Sequence, residues 1–383
     1  MKCSLLDHGL YFYPEKDNLA SSKACCHFSR NKLNRISLSN LSNIFEDEHR
    51  ISAKNALKNN ENFDSCNSCW KHEKVGYPSM RTRVNELGIK GEYGELKYLE
   101  LNTGNICNIQ CVMCNPNDSM KTKMYIPIRE KYKQIDSSRW ENLYARGLHK
   151  TDIDALNFSV FKNLEYLKST GGETFYSKEY WYMLEKFIDK GYAQNITIIN
   201  VTNNTIPLDK TKLEIFKNFK RVKIFSSVDG IGELCESIRA GSVWNDVNDN
   251  IQHLIELNKE YPKIFSHTEP HTVVQYANAL QLDEIVNWWE KISHPAFRTK
   301  QYFRILDQPS YYDIRNLNKN IKDKIQNRYK NINKLKHVVN YLKTNKSLYD
   351  SEMGYNIFNE SCLINKVNPL SSHVHKEMED AIQ

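Results

Sequence analysis

Residues 99–116 read LELNTGNICNIQCVMCNP, and this stretch decides how the rest of the chain is read. Cys107, Cys111 and Cys114 stand at C-x3-C-x2-C spacing, directly after a strand-like apolar run at 96–101. Three thiolates this close on one loop can hold soft metal. They cannot complete a four-cysteine site alone. An iron–sulfur cluster held by three cysteines keeps one iron open, and an open coordination position is where a metal centre does chemistry. The spacing differs from both common ferredoxin patterns. A structural zinc site needs a fourth ligand, and the nearby sequence offers none.

Downstream, apolar β-branched runs alternate with amphipathic stretches. Strands are expected at 96–101, 164–169, 196–201, 222–228, 271–275 and 301–306. Helices are expected at 180–190, 213–219, 243–258 and 282–292, and 121–148 reads as helix plus an irregular insertion. This alternation implies a parallel sheet. Active groups then gather at the C-terminal strand ends. Gly171-Gly172-Glu173 follows the second strand. Glycines let backbone approach a ligand, and a carboxylate can accept hydrogen bonds from an ammonium. Taken alone, the motif reads as an ordinary Gly-Gly turn with a solvated Glu; its position after the second strand, with a cysteine loop after the first, reverses that. Ser226-Ser227-Val228-Asp229-Gly230 ends the fourth strand, Arg239 follows in ESIRAG, and Asn278 lies just past the fifth. The plain alternative for Arg239 is a cation on a surface helix.

The chain of 383 residues is long enough for two domains and a sizeable core, and its 40% hydrophobic and 26% charged residues are ordinary for a globular protein. Its apolar runs are too short to span a bilayer. MKCSLLDHGLYFYPEKD at the start lacks a sustained apolar segment, so no signal peptide is expected. Ten cysteines in a chain expected to be cytoplasmic favour metal or redox ligation over disulfides. The net charge of +7 allows a nucleic-acid partner without arguing for one.

Cysteines also recur in residues 1–92 as Cys3, the Cys25-Cys26 pair, and Cys66-x2-Cys69. A C-x2-C turn with further cysteines is a metal-site signal, for which structural zinc is the plain reading. Residues 38–59, with Ile44, Phe45, Ile51, Ala53 and Leu57, fit one or two short amphipathic helices. Glu73, Gly76, Ser79, Arg81 and Asn85 follow the C-x2-C at E-x2-G-x2-S-x-R-x3-N spacing.

The cysteine triplet, followed in order by these strand-end motifs, resembles the radical S-adenosylmethionine (SAM) enzymes. The N-terminal cysteines resemble the SPASM/twitch auxiliary-cluster modules of that superfamily, in a subgroup carrying the module at the N-terminus. The resemblance covers most of residues 1–310. It departs at Met113, where an aromatic residue is usual, and at Ala20, near where a glycine usually precedes the cysteine pair. It implies an α/β fold: a partial (β/α)6 TIM-like barrel at 93–310, a small cysteine-rich domain at 1–92 and a helical extension at 311–383. It also implies a [4Fe-4S] cluster on Cys107, Cys111 and Cys114, whose open iron takes the amino and carboxylate groups of SAM. One electron would then split SAM into methionine and a 5′-deoxyadenosyl radical that abstracts a substrate hydrogen. Gly171, Gly172 and Glu173 would meet the methionyl amino group, Ser226, Ser227 and Asp229 the ribose side, and Arg239 the carboxylate. A second [4Fe-4S] cluster would use Cys3, Cys66, Cys69 and one of Cys25 or Cys26, Cys25 being preferred on spacing. An electron donor such as a flavodoxin or ferredoxin is implied.

The resemblance favours a peptide or protein substrate, with a nucleotide, sugar or RNA base as the alternative. That alternative rests on the tail, where nine Lys or Arg between Lys319 and Lys346 face one acid, Asp323. Leu317, Ile321, Ile325, Ile332, Leu335, Val339 and Leu342 form one apolar helical stripe there. A solvated helix face explains the cations equally well. Cys362 stands alone, Cys235 has no evident role, and the last dozen residues, with His373 and His375, read as a frayed tail. A zinc-binding scaffold without turnover is the remaining alternative.

Overall fold

The computed structural model describes residues 1–15, 19–29, 34–37, 41–134, 145–293, 301–306, 308–344 and 349–382. Leu38, the middle of the 121–148 insertion and Lys346 lie outside the described residues. Among the described residues there are eleven strands: β1 (Gly9–Pro14), β2 (Leu19–Lys23), β3 (Asn34–Ser37), β4 (Tyr98–Asn102), β5 (Gln110–Cys111), β6 (Tyr166–Thr170), β7 (Thr197–Thr202), β8 (Arg221–Ser227), β9 (Arg239–Ala240), β10 (Phe265–Val274) and β11 (Tyr302–Ile305). All six expected strands are found, as β4, β6, β7, β8, β10 and β11. The fold is α/β.

The chain divides into two compact units, one of residues 1–104, 146–201 and 209–223, the other of 105–145, 202–208 and 224–383. In the first, the strand order is β7-β6-β4-β1-β2-β3. β1, β4, β6 and β7 pair in parallel, while β2 and β3 add antiparallel. Every residue of β4 is buried, as suits a strand covered on both faces. The helix Lys178–Asp189 turns Tyr180, Trp181, Met183, Leu184 and Phe187 inward and is capped by the Ser177 side chain. In the second unit, β10 lies between β8 and β11, with β10 and β11 parallel. The helices Trp244–Glu260 and Leu282–Ile292 bury Val247, Ile251, Leu254 and Ile285, Val286, Trp289. Among the described residues neither strand order closes on itself.

β1, although it lies in residues 1–92, pairs with β4 from Gly9↔Tyr98 to Phe12↔Leu101. Three expectations need correction. Within 38–59 the helix Glu48–Lys58 forms, but Ile51 faces outward while Ala53 and Leu57 are buried. The C-terminal stripe is not one helix: Lys319–Tyr329 and Lys336–Leu342 are separated by a short 3-10 turn, so Val338 and His337 take the buried places and Val339 does not. Finally, residues 373–382 are helical rather than frayed, with Val374, His375 and Met378 buried. Several tail cations are already paired, as Lys324–Glu377, Arg328–Asp283 and Lys334–Glu290, which weakens the nucleic-acid reading of that face. Among the described residues no helix is long and apolar enough to cross a membrane.

His375 carries a pH prediction. Its ring stacks on Tyr355 at 4.2 Å between centroids and 6° between planes. Burial pushes its pKa down from 6.5 to about 4. A depressed histidine binds its proton more readily in the unfolded chain. Its stabilising contribution is therefore full above the unfolded value and is lost as pH falls from 6.5 toward about 4. The loss should reach roughly 2–3 kcal/mol. His375→Phe keeps a stacking ring without the titration. Urea unfolding at about pH 5 and about pH 7.5 should show that increment in the wild type and not in the variant.

Candidate functional site

The cysteine loop lies in the second unit and is shaped from three sides. β5 and β9 pair antiparallel, with Cys111 opposite Arg239, and the Val112 amide donates to the Ile238 carbonyl at 2.9 Å. The buried Arg129 guanidinium donates to the carbonyls of Val112 and Cys114 at 3.1 and 2.6 Å. Tyr125 hydroxyl donates to the Gln110 carbonyl at 2.8 Å, and the Gln110 amide reaches Asn365 at 2.9 Å. The loop backbone is thus held by a two-residue ladder on one side and by side chains on the others, so its polar groups are satisfied without a regular sheet. Ile109, Val112 and Met113 are buried beneath it, so Met113 supplies the apolar, polarizable bulk its position calls for.

Donors point at two of the three sulfurs. Asn203 Nδ2 lies 4.0 Å from Cys107 Sγ, and Arg239 Nη1 lies 3.7 Å from Cys111 Sγ. Asn203 was missed by sequence reasoning. Its signal was its place one residue beyond the C-terminal end of β7, where active groups gather. The Cys114 thiol hydrogen-bonds Cys111, and this, with the Arg239 charge, holds the Cys111 thiol below its ordinary pKa against the opposing effect of burial. The same bond, reinforced by burial, raises Cys114.

Asp229 and Arg239 meet as a buried ion pair, Oδ2 to Nη2 at 2.8 Å. Arg239 is therefore no surface cation. Asp229 is fully buried, and its Oδ1 accepts the Val273 amide at 2.7 Å. Asn278 donates to the Asp229 and Val273 carbonyls, both at 2.9 Å, so it braces the strand end. Ser226 donates to Asn204 Oδ1 at 3.2 Å and is buried, while Ser227 is partly exposed. Another polar row had gone unnoticed in sequence. On alternate residues of β10, His267, Glu269 and His271 share one face, with His271 Nε2 3.0 Å from the buried Glu269 carboxylate and stacked 4.1 Å from Phe225. H-x-E-x-H at strand period was the available signal.

The first unit holds the Gly-Gly-Glu motif. Gly171 has φ +119, and a Cβ there would stand 2.8 Å from both the Gly104 carbonyl oxygen and Asn102 Oδ1. Gly172 donates to the Gly104 carbonyl at 2.8 Å. Glu173 is buried and its carboxylate accepts the Phe175 amide at 3.0 Å, capping the turn Thr174–Tyr176. Gly171→Ala meets backbone atoms that cannot swing aside and a φ that only glycine adopts freely. A loss of about 2 kcal/mol or more in stability is expected, read as a lower denaturant midpoint.

The N-terminal cysteines also lie in the first unit. Cys3, Cys25 and Cys66 pack with Trp70 around Leu6, Ala24 and Phe28. Cys3, Cys25 and Cys66 each lie within electrostatic reach of Cys69. Burial pushes the Cys3 thiol up to about 11 and Cys66 up to about 12, so metal entry must displace protons. The Glu73…Asn85 motif explains itself. Glu73 accepts from Ser79 Oγ at 2.6 Å and from Arg81 Nε at 3.1 Å; Arg81 and Asn85 donate to the Lys2 carbonyl at 3.2 and 2.8 Å. Asn85 Oδ1 accepts the Ser4 amide at 2.9 Å. These residues fasten the C-x2-C helix to the backbone on both sides of Cys3. Cys26 departs from the others: its amide faces Glu100 at 3.4 Å, and Glu100 pairs with Lys168 at 2.6 Å.

Among the described residues no cysteine forms a disulfide. Cys362 is buried in the apolar core of the second unit, which raises its pKa to about 12. Cys235 is buried, is likewise raised to about 12, and lies 4.0 Å from Ser242 Oγ. Cys235 lies within electrostatic reach of Arg239, Asp229 and Cys111, whereas Cys362 is raised by burial alone. Among the described residues no three His, Cys, Asp or Glu side chains surround one point as a ready site for a lone ion. A cluster spreads its cysteines over several irons. Thiols with amide and guanidinium donors turned toward their sulfurs are a donor set that fits such a cluster.

No family model matches the chain, and no curated protein matches it. Among solved structures it is similar to native anSMEcpe with bound AdoMet, at 17% identity and a TM-score of 0.39 over 61% of this chain and 59% of that one. It is also similar to Streptococcus suis SuiB bound to S-adenosylmethionine, at 15% identity and a TM-score of 0.36 over 83% of this chain and 69% of that one. The chain thus spans 59% of the length of anSMEcpe. Likeness of this degree leaves the functional reading to rest on the chain's own residues.

Proposed function

We propose that the chain is a radical SAM enzyme with one cluster on Cys107, Cys111 and Cys114 and an auxiliary cluster on Cys3, Cys25, Cys66 and Cys69. The observation that carries this is the loop itself: three thiols at C-x3-C-x2-C spacing, its carbonyls held by Arg129 and two of its sulfurs faced by Asn203 and Arg239. When bound, the first cluster supplies the electron that cleaves SAM to a hydrogen-abstracting 5′-deoxyadenosyl radical. The protein's part is to hold the loop, exclude water with Ile109, Val112 and Met113, and bind SAM. Gly171-Gly172-Glu173 and the β8 end, Ser226 to Asp229, are the assigned SAM contacts. Four protein thiolates would close the auxiliary cluster, favouring electron transfer or structure over substrate binding.

By function, 1–92 is the auxiliary segment, 93–310 the catalytic core and 311–383 a bracing extension. A peptide or protein substrate is the favoured class, on the likeness of the N-terminal cysteines to SPASM/twitch modules. The expected setting is a reducing cytoplasm with a flavodoxin or ferredoxin as donor. The test is anaerobic reconstitution followed by SAM and dithionite. SAM-dependent 5′-deoxyadenosine supports the reading. Colourless protein carrying stoichiometric zinc would replace it with the scaffold alternative.

A further inference from the structure

We infer that Arg239 raises the electron affinity of the metal centre built on Cys111 and that Asp229 partly cancels the effect. This rests on the reading that Cys107, Cys111 and Cys114 hold a redox cluster. The Arg239 guanidinium is divided between two partners. Nη2 is 2.8 Å from Asp229 Oδ2, and Nη1 is 3.7 Å from Cys111 Sγ. The position is not an accident of a long side chain, because Arg239 and Cys111 are register partners in the β5–β9 ladder. Asp229 is held in turn by the Val273 amide. The carboxylate is fully buried and the guanidinium nearly so, so water and salt screen the two charges little.

The chemistry then has a sign. A guanidinium does not lose its proton in a protein, so its charge at the sulfur is permanent. A donor and a positive charge on a ligating sulfur favour the reduced form, which carries one more negative charge. The carboxylate on the far side of the guanidinium opposes that field. Removing the cation and removing the anion should therefore move the potential in opposite directions. A residue that merely binds the SAM carboxylate has no such pairing of signs.

The experiment is an EPR-monitored redox titration of the anaerobically reconstituted full-length protein. The relevant cluster is recognised as the one whose spectrum changes when SAM is added. Arg239→Gln should lower its midpoint by about 59 mV, tenfold in the one-electron equilibrium constant. Arg239→Lys keeps the charge and should stay closer to wild type. Asp229→Asn should raise the midpoint. Because Arg239→Gln strands a buried carboxylate, the doubly neutral Asp229→Asn/Arg239→Gln variant guards against loss of folding, and its midpoint should fall between the two singles. The inference is overturned if iron-loaded single variants shift the same way, do not shift, or change only SAM affinity. A wild type that assembles no cluster would instead overturn the proposed function, and this inference with it.

Discussion

Cys107→Ala/Cys111→Ala/Cys114→Ala should bind about four irons where the wild type binds about eight, and should form no 5′-deoxyadenosine. The three sulfurs sit on one loop, so their loss removes every protein ligand of one cluster and none of the other. Alanine is chosen because Cys111 is buried and Cys107 and Cys114 are partly so. A small apolar replacement leaves the packing on Ile109 and Val112 in place, and the loop carbonyls keep their Arg129 contacts. Circular dichroism and the denaturant midpoint should therefore stay near wild type while iron and product fall. Equal iron in both proteins would move the metal elsewhere. About four irons in the wild type and none in the variant would retain the enzyme and leave the N-terminal cysteines as a zinc or purely structural set.

How much of this was legible in the sequence depends on the kind of interaction. The barrel strands were readable because ITIINV and VKIFSSV are β-branched runs bounded by turn residues. β10 was read as only 271–275 because His267, Glu269 and Pro270 interrupt any apolar pattern upstream. They nonetheless lie in a strand from Phe265 to Val274, where His267, Glu269 and His271 alternate onto one face and Pro270 falls on the other. β1 was missed for a different reason: GLYFYP is short, and its pairing partner β4 is nearly ninety residues away in sequence. The final helix was missed because HVHKEMEDAI looks polar, yet Val374 and Met378, four apart, both turn inward.

The site divides in the same way. Local spacing gave the cysteine triplet and the Gly-Gly-Glu turn, since both are motifs on contiguous residues. The Asp229–Arg239 pair was not legible. Each residue was assigned its own ligand from position, while the geometry joins them to each other and to Cys111. Likewise, no local pattern announces that Asn365 braces the loop through Gln110 and Tyr125. Such partners are chosen by tertiary packing and carry no local signature.

The Cys25-Cys26 pair offers the other large effect. Spacing favours Cys25 of these neighbours, and their surroundings agree. Cys25 lies within reach of Cys3 and Cys69 and is pushed far up by burial, then by the neighbouring thiols. Cys26 instead turns toward the Glu100–Lys168 pair, where its charge, after that of Glu100, would help to raise Lys168 against burial. A four-thiolate cluster has no spare ligand, so losing one of the four should open an iron and make that cluster labile. Cys25→Ala is expected to lose about four irons and the matching EPR signal, and Cys26→Ala to keep both. SAM cleavage itself should survive in either variant, because the Cys107–Cys114 loop is untouched. Combining Cys25→Ala with the triple variant should leave essentially no iron. If Cys26→Ala is the one that loses iron, the ligand assignment reverses, and Cys25 becomes a partly buried thiol packed with Ala24 and Phe28. Equal loss from both would mean that the pair acts through the fold of the turn rather than through a single sulfur.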